Sequence, residues 1–186
     1  CQLEMPVTQT LAATAADSNK AVVVIGRTAG EDRDNAATEG SYYLTSTEKE
    51  MLHNVYSHFK NVIVVLNVSN IIDMNFMQDS NHIKAVVYAW QGGMEGGNGT
   101  ADVLTGKEVF QGKLTDTIAK KITDYPADKN HGGKEKNVYQ EDIYVGYRYF
   151  ETFARDTVLY HSAMDYPTRN SRYPTAVSAD TKMPMC

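Results

Sequence analysis

Val62-Ile-Val-Val-Leu66 decides the fold. Five apolar residues follow one another without alternation, between Asn61 and Asn67. A short unbroken apolar run bounded by turn-forming residues reads as a strand buried on both faces of a parallel sheet. Two more runs of this kind flank it. Ala21-Val-Val-Val-Ile25 lies upstream and ends in Gly26; Ile83 to Trp90 lies downstream and enters a glycine-rich loop. The residues between the first two runs predict a helix. Thr45 stands three residues before Glu48, the spacing of a capping box. Leu44 precedes the cap, and Met51, Leu52, Val55, Tyr56 and Phe59 recur on one helical face. A helix-like stretch is expected over Ile71, Ile72, Met74, Phe76 and Met77, and another over about 98–105, ended by Gly106. Residues 7–18, rich in Ala and Thr, carry a helical pattern too.

Strands alternating with helices at this spacing imply an α/β fold around a mostly parallel sheet. In such sheets the functional loops leave the carboxyl ends of the strands. Those loops are 26–41, 67–75 and 91–99, and they fall along one edge. After residue 106 the pattern changes. Residues 107–136 are rich in Lys, Asp, Gly and Asn and read as irregular surface chain. Tyr139 to Phe153 is dense in aromatics, and from about residue 160 the chain reads as irregular.

The 186 residues suit one domain, or one domain plus a tail. A net charge of −5, with no basic run, speaks against a nucleic-acid partner. No apolar stretch approaches the roughly 18 residues that span a bilayer, so no membrane partner is expected. The opening residues show no basic segment leading into an apolar one. The two cysteines are Cys1 and Cys186, which outlines no disulfide framework.

Gly92-Gly-Met-Glu-Gly-Gly-Asn-Gly99 is the most informative loop. Its glycines permit positive φ and close approach of a ligand to the backbone. Glu95 stands in its middle, directly after a buried strand. The spacing leaves two readings open, a strand-to-helix turn with a solvated carboxylate or an acid-bearing functional loop. No Gly-Lys-Ser/Thr follows, and the glycines lack the dinucleotide-binding order. That weighs against a nucleotide- or flavin-binding domain, and no cofactor is implied. Gly30-Glu-Asp-Arg-Asp34 gathers charge on the first loop, either to hydrogen-bond a polyhydroxylated ligand or as a surface ion-pair network. Asp73 fits a helix cap or loop brace. The five histidines lack His-Glu-x-x-His spacing, so no metal site is expected. No Gly-x-Ser-x-Gly elbow is present. Tyr144-Val-Gly-Tyr-Arg-Tyr-Phe150 reads as a sugar-stacking platform or as a surface that packs on another domain.

Taken in order, these stretches resemble the second domain of family 3 glycoside hydrolases, most of all the bacterial β-glucosidases. The matching segments are Ala21 to Gly26, Gly30 to Asp34, Asn61 to Asn67, Trp90 to Gly97, Ala101-Asp-Val-Leu-Thr-Gly106, Gly112-Lys-Leu114 and Tyr144 to Tyr149. The resemblance covers about residues 3–160 and implies a three-layer α/β/α sandwich, here incomplete at its N-terminal end. Residues 161–186 do not match the family. The resemblance implies retaining hydrolysis of a β-glucoside or oligosaccharide substrate, with Glu95 as acid/base. Glu31, Asp32, Arg33 and Trp90 are the implied sugar contacts. A (β/α)8 barrel, absent from this sequence, would supply the aspartate nucleophile, so the chain by itself is expected to be inactive. A bacterial enzyme of this type is expected in the cytoplasm. The competing expectation is a non-catalytic carbohydrate-binding or interaction module.

Overall fold

A computed structural model describes residues 15–16, 18–27, 34–78, 81–163 and 176–177. The predicted sheet is present. Strands β1 (Lys20–Gly26), β2 (Asn61–Asn67) and β3 (Ile83–Tyr88) lie side by side and parallel. Val23 pairs with Val64 and Ile25 with Leu66; Val64 in turn pairs with Val86 and Leu66 with Tyr88. This register sets all these side chains on one face, because alternate residues of a strand point the same way. A two-residue strand, β6 (Ala176–Val177), adds to β3 antiparallel. The α/β class with a mostly parallel sheet is thus the fold observed.

Helix α1 (Ser46–His58) covers that face. Leu52, Val55 and Phe59, each buried, join Val23, Ile25, Val62, Val64 and Leu66 in one core, which Leu44 enters from the residue before the cap. The predicted capping box is complete: the Thr45 hydroxyl accepts from Glu48 N at 3.1 Å, and the Glu48 carboxylate accepts from Thr45 N at 2.8 Å. Glu48 also forms a bidentate ion pair with Arg27, the first residue beyond β1. Both side chains are buried, and the guanidinium donates as well to the carbonyls of Gly26, Ser41 and Tyr43. One cation therefore fixes the end of β1, the start of α1 and the loop between them.

The opposite face is covered unevenly. Val65 and Val87 are buried there, beside helix α2 (Gly96–Leu104), whose Thr100 and Val103 line a small cleft with Val87. Val22 and Val24 on β1 stay 53% and 49% exposed. The expectation of strands buried on both faces therefore holds for β2 and fails for β1. β1 is the edge strand of the sheet, and Val22 and Val24 lie on its less covered face.

Three boundaries differ from the sequence reading. β3 ends at Tyr88, two residues early, because Trp90 takes a left-handed φ of 53° that no strand accommodates. The helix-like stretch at 71–77 holds only a 3₁₀ turn, Asn75–Met77. Ile72, Met74, Phe76 and Met77 are all buried, so this segment is core rather than a one-faced surface helix. Of the helical pattern at 7–18, only Ala15 and Ala16 are described as helix; the rest lies outside the described residues.

The later chain departs from the irregular surface expected of it: it carries short strands and a helix, Leu114, Ile118 and Ala119 are buried, and Ala176–Val177 in the tail joins the sheet as β6. β4 (Ile118–Ala119) and β5 (Val158–Tyr160) pair antiparallel. Helix α3 (Tyr147–Phe153) sets Phe150 against Ala119, Ala154 and the ring of Tyr125. Tyr160 Oη donates to Met77 Sδ at 3.3 Å, and Asn75 Nδ2 donates to the Lys120 carbonyl at 2.8 Å. These contacts hold the C-terminal segment against the loop after β2.

Candidate functional site

The site is built at the carboxyl edge of the sheet. Past Tyr88 the chain turns at Trp90, whose indole stacks at a tilt on the Tyr88 ring with centroids 4.7 Å apart. Tyr88 is fixed in turn, because its hydroxyl accepts from Ile72 N at 3.1 Å in the neighbouring loop. Burial pushes the Tyr88 phenol above its ordinary range, so it stays a neutral hydroxyl. A tryptophan in the left-handed region is strained, and such strain persists only where the surroundings hold it. Here the Tyr88 ring and the loop after β2 do so.

The glycine loop turns on two of its glycines. Gly93 has φ +62°. Gly92 passes so near the start of α2 that an added Cβ would sit 2.6 Å from Gly96 Cα. This brings Glu95 to the N-cap position of α2, where its carbonyl accepts from Gly99 N at 3.0 Å. Its side chain caps nothing; Oε2 instead accepts from Asn98 Nδ2 at 2.5 Å. Glu95 and its neighbour Met94 are both exposed. The geometry is that of an accessible carboxylate steered by one amide on the first turn of a helix.

Of the other predicted sugar contacts, Trp90 is half-buried beside this loop, while Glu31, Asp32 and Arg33 lie outside the described residues. Asp34, at the end of the same charged motif, lies 3.3 Å from His131 Nε2, and both groups are well exposed. Asp73 is a loop brace: its Oδ1 accepts from Asn75 N at 3.1 Å and from Asn75 Nδ2 at 2.5 Å.

Beside Trp90 a cleft of about 460 Å³ opens between the three loop regions and the later chain. Trp90, Tyr42, Ser69, Asp116, Tyr125 and His131 are among its walls. Sequence reasoning did not single out Tyr42, Ser69, Asp116 or Tyr125. Their one local signal is that Ser69 falls on a loop at the carboxyl edge. Tyr125 is fixed by two hydrogen bonds, donating to the Thr117 carbonyl at 2.9 Å and accepting from Ala119 N at 2.8 Å.

The aromatic segment resolves into surface. Val138, Tyr139, Ile143, Val145, Tyr147 and Phe153 are all more than half exposed. Only Phe150 of that stretch is in the core. Exposed apolar residues concentrated in one segment mark an interaction surface, which favours packing against another domain over a sugar platform. Among the described residues no helix is long and apolar enough to cross a membrane.

Comparison with known proteins bears on the family and the fold. The model of the glycosyl hydrolase family 3 C-terminal domain matches residues 6–147. A β-glucosidase of Ruminococcus albus is 53% identical over 159 residues, covering 85% of this chain and 17% of the relative. The crystal structure of a β-glucosidase from Paenibacillus barengoltzii superposes with a TM-score of 0.82 at 54% identity, over 86% of this chain and 18% of that one. β-Glucosidase 3B from Thermotoga neapolitana, solved in complex with α-D-glucose, superposes with a TM-score of 0.77 at 33% identity, over 86% of this chain and 23% of that one. The chain spans about a fifth of the length of these relatives.

Proposed function

Because the chain belongs to the glycosyl hydrolase family 3 C-terminal domain family, we propose that it is the acid/base-bearing part of a retaining β-glucosidase, with Glu95 as the proton carrier. The observation that carries this reading is the exposed Glu95 carboxylate on a glycine loop directly after β3, where a substrate can reach it. A (β/α)8 barrel elsewhere in the longer enzyme supplies an aspartate nucleophile. That aspartate attacks the anomeric carbon as the glycosidic C–O bond breaks, and Glu95 gives its proton to the departing oxygen. Water then attacks the glycosyl-enzyme, Glu95 takes its proton, and the aspartate leaves as a carboxylate. For retention the two carboxyl groups stand about 5–5.5 Å apart.

An acid catalyst near neutral pH needs burial or a neighbouring carboxylate to keep its proton. Glu95 is open to solvent, so the barrel has to provide that environment on closing over the loop. The isolated chain is accordingly inactive. Trp90 and the charged segment Glu31, Asp32 and Arg33 contact the sugar beside the scissile bond. The exposed apolar residues of 138–153 form the seat of the second module.

The test is made in the full-length enzyme. Glu95→Ala is expected to cripple hydrolysis of glucosides with poor leaving groups and to spare activated aryl glucosides. Azide should restore turnover by attacking the glycosyl-enzyme in place of water, because an anionic nucleophile needs no base. Equal loss on both substrate types, without azide rescue, would remove Glu95 from the role.

A further inference from the structure

The exposed aromatic surface of 138–153 has a hollow in it. A cleft of about 370 Å³ is walled by Asp124 and Tyr125 on one side and by Glu141, Tyr144, Tyr149 and Phe153 on the other. What stands behind these walls makes them rigid. Phe150 is fully buried, and the rings of Tyr125 and Tyr149 each meet it edge-on with centroids 5.4 Å away. Phe153 extends the wall: Tyr144 meets it edge-on at 4.8 Å, and Tyr149 meets it at a tilt at 5.9 Å. The rings therefore stand at several angles round one hollow.

The turn before α3 adds charge. Tyr144 N donates to the Glu141 carbonyl at 2.8 Å, and Asp142 between them takes a left-handed φ of 49°. This turn puts Glu141 and Tyr144 on the same wall. Glu141 is partly buried there, and its carboxylate makes no hydrogen bond or ion pair among the described residues. Asp124 brings a second carboxylate, of which one oxygen accepts from Lys121 N at 3.0 Å. Lys129 also lines the cleft, as an exposed side chain on a flexible stem. Carboxylates thus outnumber cations on these walls by two to one.

This combination selects among the side chains that could fill the cleft. An aliphatic side chain would cover the rings but strip water from Glu141 and leave it unpaired, which is destabilising. A carboxylate or phosphate would meet two like charges. A lysine ammonium would answer Glu141 as a point charge and stack poorly. An arginine does both: its planar guanidinium lies on aromatic faces and forks onto a carboxylate through two N–H groups. Tyr and Arg are also the residues that most often anchor protein interfaces.

We propose that this cleft receives an arginine side chain of the second module, stacked on the rings of Tyr144, Tyr149 and Phe153 and paired with Glu141. The proposal rests on the reading of 138–153 as that module's seat and names the chemistry of its anchor.

The first experiment is an NMR titration of the isotope-labelled 186-residue chain with propylguanidinium chloride, and with butylammonium chloride as the control cation, at constant ionic strength. The expected result is saturable shifts of the Glu141, Tyr144 and Tyr149 amides with the guanidinium at millimolar concentration, and clearly weaker binding of the ammonium. Glu141→Gln should weaken guanidinium binding about tenfold, the value of one hydrogen bond to a charged group. Phe153→Leu should weaken it about threefold, the value of an exposed cation–π contact; Phe153 is 61% exposed, so the Val64 and Val86 amides should stay in place. Shifts that do not saturate, equal binding of the two cations, or unchanged affinity in Glu141→Gln each overturn the proposal. The second experiment is hydrogen exchange in the full-length enzyme. There 138–153 should be protected relative to the isolated chain, and Glu141→Gln should exchange about tenfold faster over that segment. No protection of 138–153 sinks the seat itself. Protection that Glu141→Gln leaves unchanged keeps the seat and overturns the arginine anchor.

Discussion

Glu48→Ala is expected to be among the most damaging single substitutions in this chain. The Glu48 carboxylate is 3% exposed and faces the Arg27 guanidinium, itself 8% exposed, through two contacts. Removing it strands a buried cation among the carbonyls of Gly26, Ser41 and Tyr43. Breaking a buried pair from one side costs about 3–5 kcal/mol. Domains of this kind are stable by only about 5–15 kcal/mol, so the change removes a large part of the total. With a urea slope of about 2 kcal/mol per molar, the unfolding midpoint should fall by about 2 M. The double replacement Arg27→Met with Glu48→Leu removes both charges and fills the space, and should recover most of the loss. A cost below about 1 kcal/mol for Glu48→Ala would mean that the pair behaves as a solvent-screened surface bridge. A double variant as unstable as the summed single variants would refute the reasoning equally.

Three other outcomes follow from the same structure. Gly92→Ala drives a Cβ to within 2.6 Å of Gly96 Cα and, as overpacking against backbone, should cost about 1–3 kcal/mol; thermal unfolding and the Glu95 and Asn98 amide shifts would register it. Tyr125 has its pKa pushed up to about 12 by burial, against about 10 for a free tyrosine. The folded state therefore holds this proton more tightly, and the stability it contributes is full below pH 10 and declines as pH rises toward 12; spectrophotometric titration should show its phenolate forming after those of exposed tyrosines, and Tyr125→Phe should flatten the alkaline loss. Ile143→Glu with Val145→Glu alters residues 64% and 54% exposed; stability should stay within about 0.5 kcal/mol, while light scattering shows less self-association at high concentration.

How far the sequence could be read depended on whether the determining interaction was local. β2 was legible because an apolar run is a one-dimensional signal. The Thr45–Glu48 cap was legible because three-residue spacing fixes the geometry. The partner of Glu48 was not, since Arg27 lies 21 positions away and only the parallel β1–β2 pairing brings them together. Trp90 shows the opposite failure. Its composition suits a strand, but the ring of Tyr88 and the turn into the glycine loop override that preference. The glycines around Glu95 left a solvated turn carboxylate open, and only the family resemblance gave that residue a role; Tyr42, Ser69, Asp116 and Tyr125 come from four separate segments and share no spacing to find. The one-sided burial of β1 was also invisible, because Val22 and Val23 are the same residue type on opposite faces.

The outer edge of β1, unpaired among the described residues, bears on how this chain behaves before it is folded as much as after. Lys20–Gly26 is short, rich in valine and free of proline, and its outer backbone groups have no strand beside them among the described residues. Such a segment is a template for pairing between molecules. During refolding it faces a race: capture by Asn61–Asn67 of its own chain, which is first order, against capture by another chain, which grows with concentration. Yield should therefore fall with protein concentration far more steeply than stability would foretell. The same open flank is a place where a separately expressed strand could be grafted, turning a hazard of production into a switch for assembling the protein from two pieces.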